Sequence, residues 1–353
     1  MSKKIIFCAD GTWDDPQNTT NVYKLYKALT TSATQVPYYD DGVGATGAPI
    51  QHLLGGAFGI GLFQKVKDGY SKIAQVYDKD DEIFIFGFSR GAYTARSIAG
   101  MIAICGLPTE NFNQNLVDTA FNAYRDEANR RKLLATLAPD ALYDAQLKMV
   151  GVWDTVGSLG IPGAVFQIPD PLFGFLDTGL HQDIQNAYQA LAVDEKRREF
   201  PPTLWTAPAV AVPDQVLEQV WFAGVHCDVG GSYPESDLSN ITLSWMLSKA
   251  VALGIEVDPA ATSLYLPLPV DAKLAIGTIH ESWNLRWGPW KHRSIQPDSK
   301  IANSVAVRLA QVTGYRPPNL ELNGTQPANS YAIEKVVVSP GAAVGAGSGT
   351  TAS

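Results

Sequence analysis

Ser89 stands in Gly87-Phe88-Ser89-Arg90-Gly91, between the apolar run Ile83-Phe84-Ile85-Phe86 and a helical stretch opening at Ala92. A serine hydroxyl is presented as a nucleophile when it sits at the tip of a sharp strand-to-helix turn, which needs small residues two before and two after it. Gly87 and Gly91 meet that need. In a chain with 31 glycines the G-x-S-x-G spelling carries little weight, and the strand, turn and helix in register carry more. The following helix would direct N–H groups and the positive end of its dipole at a forming oxyanion, with the Arg90 N–H as first donor. A glycine-flanked structural turn with a solvent-facing serine is the competing reading of the same residues.

Serine hydrolysis also needs an imidazole to take the hydroxyl proton and a carboxylate to fix the tautomer of that imidazole. Five histidines are available, His52, His181, His226, His280 and His292. His226 has the best position, because Trp221-Phe222-Ala223-Gly224-Val225 delivers it to the end of an apolar run and Asp228-Val229-Gly230-Gly231 continues as a turn. Asp154 closes Met149-Val150-Gly151-Val152-Trp153 in the same way. The order Ser89, Asp154, His226 is the Ser, Asp, His order of α/β-hydrolases, and Ser89, Asp228, His280 obeys it equally. Asp228 also suits a turn-forming role. A second oxyanion donor is expected from the loop after the first strand, at the Gly11 or Thr12 N–H, with Asp10 as an anchor of that loop.

These residues need strands to position them. Lys4–Ala9, Glu82–Phe88, Lys148–Trp153 and Gln219–Val225 read as buried strands, each passing into a polar or glycine-rich turn. Helical periodicity follows in Val22–Leu29, Ala92–Ile104, Asn115–Leu137 and Ser239–Leu253. The alternation predicts an α/β fold, a mostly parallel sheet with helices on both faces and its chemistry beyond the carboxyl ends of the strands. The expected organisation is a single domain over 1–338, with loop insertions near 42–63 and 158–180 and a disordered Gly/Ala/Ser-rich tail over 339–353. Gly42–Gly61 suits neither a regular strand nor a stable helix. Its apolar residues Leu53, Leu54, Phe58, Ile60, Leu62 and Phe63 would either shield an acyl chain or pack in the core.

Composition narrows the partners. At 46% hydrophobic residues the chain can fill a large core, and a net charge of −8 with no basic run argues against nucleic acid. Three distant cysteines, Cys8, Cys105 and Cys227, without CxxC spacing, fit a reducing compartment and argue against a thiolate zinc site. Asp10, Asp14 and Asp15 lack a matching histidine cluster, so neither a metal nor a cofactor is expected. The apolar run Ile5–Ala9 is shorter than the roughly 7–15 residues of a signal-peptide core. No run approaches the roughly 18 apolar residues of a membrane span. A cytoplasmic protein is expected, with secretion by a signal-less route and peripheral membrane contact both compatible.

Several segments together resemble one α/β-hydrolase family, long carried as a domain of unknown function, which includes phospholipase effectors of the bacterial type VI secretion system. They are Phe7–Trp13, Tyr39–Gly44, Gly87–Ala92, Gly151–Ser158, Ala190–Arg197 and Trp221–Gly231, in order over roughly residues 5–235. The resemblance implies an α/β-hydrolase core and a triad at Ser89, Asp154 and His226, and so favours Asp154 over the Asp228–His280 pair. No counterpart of the large membrane-targeting region of the secreted phospholipase members is expected within these residues, and the last hundred or so match none of their motifs. The expected activity is cofactor-independent hydrolysis of a carboxylic ester, with lipase and phospholipase as the narrower readings. A ligand-binding or regulatory module that retains the hydrolase fold is the reading from a different class.

Overall fold

The computed structural model describes residues 2–11, 19–41, 56–108, 112–137, 142–145, 147–156, 179–265 and 271–337. Thr12, His52, Leu53, Leu54, the tail expected over 339–353 and nearly all of the 158–180 insertion lie outside them, as does the first part of the 42–63 insertion.

Eight parallel strands form the main sheet: β1 (Lys4–Ala9), β2 (Gln35–Asp40), β3 (Glu82–Phe88), β4 (Leu147–Trp153), β5 (Asn186–Ala192), β6 (Val216–Phe222), β7 (Lys300–Ala302) and β8 (Ala332–Glu334). Their order is β8-β7-β6-β5-β4-β3-β1-β2, and every neighbouring pair is parallel. The order reverses beside β1, which lies between β2 and β3. A crevice at the carboxyl ends of β1 and β3 is the place where such a sheet binds ligands. Pairing of Ala9 with Gly87, Phe88 with Trp153, Trp153 with Ala190, and Ala192 with Phe222 sets the ends of β1, β3, β4, β5 and β6 along one edge.

The helices are α1 (Asn21–Ala28), α2 (Gly56–Ala74), α3 (Ser89–Cys105), α4 (Gln114–Arg125), α5 (Arg130–Leu134), α6 (His226–Gly230), α7 (Asp237–Ala252), α8 (Pro259–Tyr265) and α9 (Asn303–Gln311). Side chains alternate across a strand, so each strand feeds two cores. Ile5, Phe7, Ile83, Ile85, Val150 and Val152 pack on α2, α3 and α4, while Ile6, Phe84, Phe86, Met149 and Val220 pack on α1 and α7. Among the described residues no helix is long and apolar enough to cross a membrane.

Two sequence expectations need correction. The glycine-rich stretch ending at Gly61 is not irregular throughout, because α2 begins at Gly56. Leu62, Val66, Tyr70 and Ile73 form a buried stripe at helical spacing, and that burial outweighs the helix cost of about 1 kcal/mol per glycine. Gly69 is itself needed there, since a Cβ would fall on Ile98 and Phe7. The second correction concerns 115–137, which divides into α4 and α5. Asp126 ends α4, and its carboxylate accepts the Asn129 N–H at 3.1 Å and Asn129 Nδ2 at 2.8 Å, folding the chain into a turn.

Candidate active site

The turn from β3 to α3 is built as tightly as its spelling suggests. Ser89 has φ +57°, a left-handed conformation that strains a non-glycine residue. A Cβ on Gly91 would fall on the carbonyl oxygens of Ala9 and Asp10, and one on Gly87 would lie 2.7 Å from Ala92 Cα. The two glycines thus let α3 lie directly against the end of β1. Phe88, at the N-cap of α3, supplies no side-chain acceptor to its first turn. The N–H groups in the first turn of an α-helix have no acceptor within the helix itself.

His226 opens α6, a single turn reached through Gly224 at φ +113°. Asp228 Oδ2 accepts the Val225 N–H at 2.9 Å, capping this turn, and the N–H of Gly224 donates to Asp194 Oδ2 at 2.6 Å. The imidazole lies over Phe88, ring centroids 4.6 Å apart, and against the edge of Phe200 at 5.1 Å. Gly230 makes this possible, because any side chain there would enter the Phe88 ring.

These elements bring together three residues. Ser89 Oγ lies 2.8 Å from His226 Nε2, and His226 Nδ1 lies 2.5 Å from Asp154 Oδ2. All three are buried. Asp154 also accepts the Ala192 N–H at 3.0 Å on Oδ1, and its backbone N–H continues the sheet to Ala190 O. Burial alone would push its carboxyl up, but the Arg293 charge and the hydrogen bonds from His226 and Arg293 hold it far below the ordinary carboxylate range. The His226 pKa is lowered as well: burial takes it below 6.5, and Asp154 offsets that only in part. An ionised Asp154 requires the proton on Nδ1, which leaves the Nε2 lone pair facing the Ser89 hydroxyl. That arrangement can remove a proton from Ser89.

The other sequence candidates occupy distinct positions. His280 Nδ1 lies 2.6 Å from Asp228 Oδ1 and its Nε2 3.2 Å from Glu235 Oε2, while Tyr233 stacks on the ring at 3.8 Å. Both ring nitrogens of His280 are therefore engaged by carboxylates, and Asp228 supports the helix that carries His226. Asp10, buried at the end of β1, accepts from Thr20 Oγ1 at 2.6 Å, Tyr39 Oη at 2.7 Å and the Gly11 N–H at 2.8 Å. The Gly11 amide is thereby directed to Asp10. His181 pairs with Asp183 at 3.2 Å, and His292 packs against Trp290. Among the described residues no cluster of three or more His, Cys, Asp or Glu is arranged to hold a metal. Of the proposed acyl-shielding residues, Leu62 is in the core and Phe63 packs on Phe121 of α4.

Three residues at the site were not singled out by sequence. Glu195 is fully buried and accepts the His226 backbone N–H at 3.2 Å. Arg197 holds Glu195 through Nε at 3.0 Å and Nη2 at 2.7 Å, and covers the Phe200 ring. Despite burial, that pairing brings the Glu195 carboxyl down to about 2. Both belong to the Ala190–Arg197 segment, whose charged end after an apolar run was the available signal. The third, Arg293, bonds both oxygens of Asp154. No local pattern marks it, because its partner lies 139 residues earlier.

A family model described as the catalytic domain of Tle1-like phospholipase effectors of the type VI secretion system matches residues 3–249. The chain belongs to this family. It is also 29% identical over 232 residues to an uncharacterized protein of Saccharomyces cerevisiae, a match covering 58% of this chain and 33% of that one, so the chain spans about a third of that relative's length. A crystal structure of an uncharacterized protein from Pseudomonas aeruginosa aligns with a TM-score of 0.44 at 16% identity, covering 75% of this chain and 49% of the other. Within the Tle1-like match lie Ser89, Asp154, Glu195, Arg197, His226 and Asp228. His280 and Arg293 follow it.

Proposed function

We propose that the protein is a serine hydrolase of lipase or phospholipase type, cleaving the carboxylic ester of an acyl lipid through an acyl-enzyme. The observation that carries this reading is the continuous hydrogen-bonded chain from Ser89 Oγ through His226 to Asp154, assembled from three strand ends in a member of a phospholipase effector family.

In this mechanism Ser89 Oγ attacks the acyl carbonyl carbon while His226 Nε2 takes its proton, giving a tetrahedral oxyanion and an imidazolium. Ionised Asp154 stabilises that imidazolium at Nδ1. The Arg90 N–H, at the head of α3, is the first oxyanion donor, and the second is the N–H of Thr12, since the Gly11 N–H is held by Asp10. Collapse expels the alcohol, which takes the proton from His226 and leaves the acyl group on Ser89. Water, activated by the same imidazole, then releases the fatty acid. The left-handed backbone at Ser89 supports catalysis over ligand binding alone, since a binding module gains nothing from strain at that residue.

The test is release of fatty acid from phosphatidylglycerol vesicles and of p-nitrophenol from esters of increasing acyl length, by the wild type and Ser89→Ala. Each buried methylene contributes about 0.8 kcal/mol, so kcat/KM rises several-fold per two carbons until the pocket is full, with no effect of EDTA. Turnover retained in Ser89→Ala overturns the nucleophile. Activity highest on acetate and falling by butyrate overturns the lipid substrate.

A further inference from the structure

Arg293 lies beyond residues 3–249, in a segment that packs across the carboxyl ends of β4 and β5. Its side chain is 3% exposed. Nη1 donates to Asp154 Oδ1 at 2.6 Å and to Ala192 O at 3.0 Å, while Nη2 donates to Asp154 Oδ2 at 2.9 Å and to Phe200 O at 2.8 Å. Nε also reaches Phe200 O, at 3.2 Å. A guanidinium tied at all three nitrogens to two main-chain carbonyls is a rigid fork, and it meets the carboxylate in the planar bidentate geometry that such a fork matches. Asp154 thus receives four donors: the two guanidinium nitrogens, the Ala192 amide and His226 Nδ1.

We propose, on the premise that Ser89, His226 and Asp154 work as a hydrolytic triad, that Arg293 is its positioning residue: its fork fixes the orientation of Asp154, and its charge, shared with the carboxylate, keeps His226 in the neutral form that acts as a base. The charges around the imidazole are few. Asp154 faces Nδ1, the Glu195 carboxylate accepts the backbone N–H and favours the imidazolium, and Arg197, paired to Glu195, opposes it. On its own helix Asp228 is turned to His280, and Ser89, from α3, is uncharged. Arg293 is therefore the cation that acts on the Asp154 carboxylate itself. Without it the full charge of a buried Asp154 would bear on His226 and favour the imidazolium, the direction opposite to the depression that burial produces.

The two parts of the proposal separate by substitution. Arg293→Lys keeps the charge and loses the fork, whereas Arg293→Met loses both. The experiment uses the full chain labelled with ¹⁵N-histidine, follows the His226 ring nitrogens through a pH titration, assigns them with His226→Gln, and records the pH profile of p-nitrophenyl butyrate turnover beside it. In Arg293→Met the His226 titration rises by about one pH unit or more, and turnover at neutral pH falls about tenfold or more and partly returns under alkaline conditions. In Arg293→Lys the titration stays close to the wild type, while turnover falls by a similar factor at every pH. If Arg293→Met does not fold, Arg293→Gln replaces it with the same expectation. A His226 titration that does not move in the uncharged variant, with turnover lowered equally at all pH values, overturns the proposal and leaves Arg293 a structural strut. If the wild type shows no Ser89-dependent turnover, the hydrolase reading fails, and the imidazole titration still decides whether Arg293 controls the Asp154–His226 pair.

Discussion

Asp154→Asn changes one oxygen to an NH₂ group, and the surroundings of that carboxylate dictate the consequence. Oδ1 accepts from two obligate donors, the Ala192 N–H and Arg293 Nη1. Oδ2 accepts from Arg293 Nη2 and from His226 Nδ1, and of these four groups only the imidazole can change from donor to acceptor. The asparagine therefore keeps its oxygen toward Ala192 and turns its NH₂ toward His226, which answers by moving its proton to Nε2. That tautomer points an N–H at Ser89 Oγ, so the base is lost while the fold persists. The same tautomer error costs on the order of 10⁴ in kcat in serine proteases, and a loss of that order is expected here. Arg293, left buried against a neutral amide, should lower stability by about 3–5 kcal/mol. Ester hydrolysis together with denaturant unfolding measures both. A variant whose kcat stays within about tenfold of the wild type would refute the tautomer argument, because no other oxygen of the site accepts from Nδ1.

Ser89→Gly and Ser89→Ala should both be inactive. The glycine variant should be the more stable by about 1 kcal/mol, since φ +57° strains alanine and not glycine; equal stabilities would argue against strain at the turn. Turnover of a soluble ester should rise with pH through one ionisation lying below 6.5 and level off above it, because protonated His226 cannot accept a proton and burial depresses its pKa. Asp154, held far below the ordinary range, adds no further acid limb there. His280→Gln should retain activity within about tenfold of the wild type, since His280 is paired with Asp228 and Glu235 and does not meet Ser89. A loss near 10⁴ would transfer the role of base to His280.

The elements that hold the candidate site were the most legible in the sequence, for a physical reason. β1 and β3 are continuous apolar runs buried on both faces and ended by turn residues, and Lys4–Ala9 and Glu82–Phe88 are recovered at their predicted bounds. β6 is displaced toward the N-terminus from Gln219–Val225, because Gly224 at φ +113° turns the apolar continuation out of the sheet. β2 carries Pro37 and polar residues at the sheet edge, where one side of the ladder is unpaired, so hydrophobicity does not mark it. β5 is buried throughout yet reads Asn-Ala-Tyr-Gln-Ala-Leu-Ala, its polar side chains bonded to the backbone of Lys148 and Thr203. Sequence pattern also identifies Ser89, His226 and Asp154 as residues at strand ends. It does not reach Arg293, because a contact across 139 residues is a property of the folded sheet alone.

Covalent labelling with a fluorophosphonate tests the central claim most directly, since that reagent reacts with a serine activated by a neighbouring base. The wild type should form one adduct, located by peptide mass spectrometry on Ser89, and His226→Ala should react far more slowly at the same site. An unlabelled folded wild type, or an adduct on a residue other than Ser89, would contradict the account.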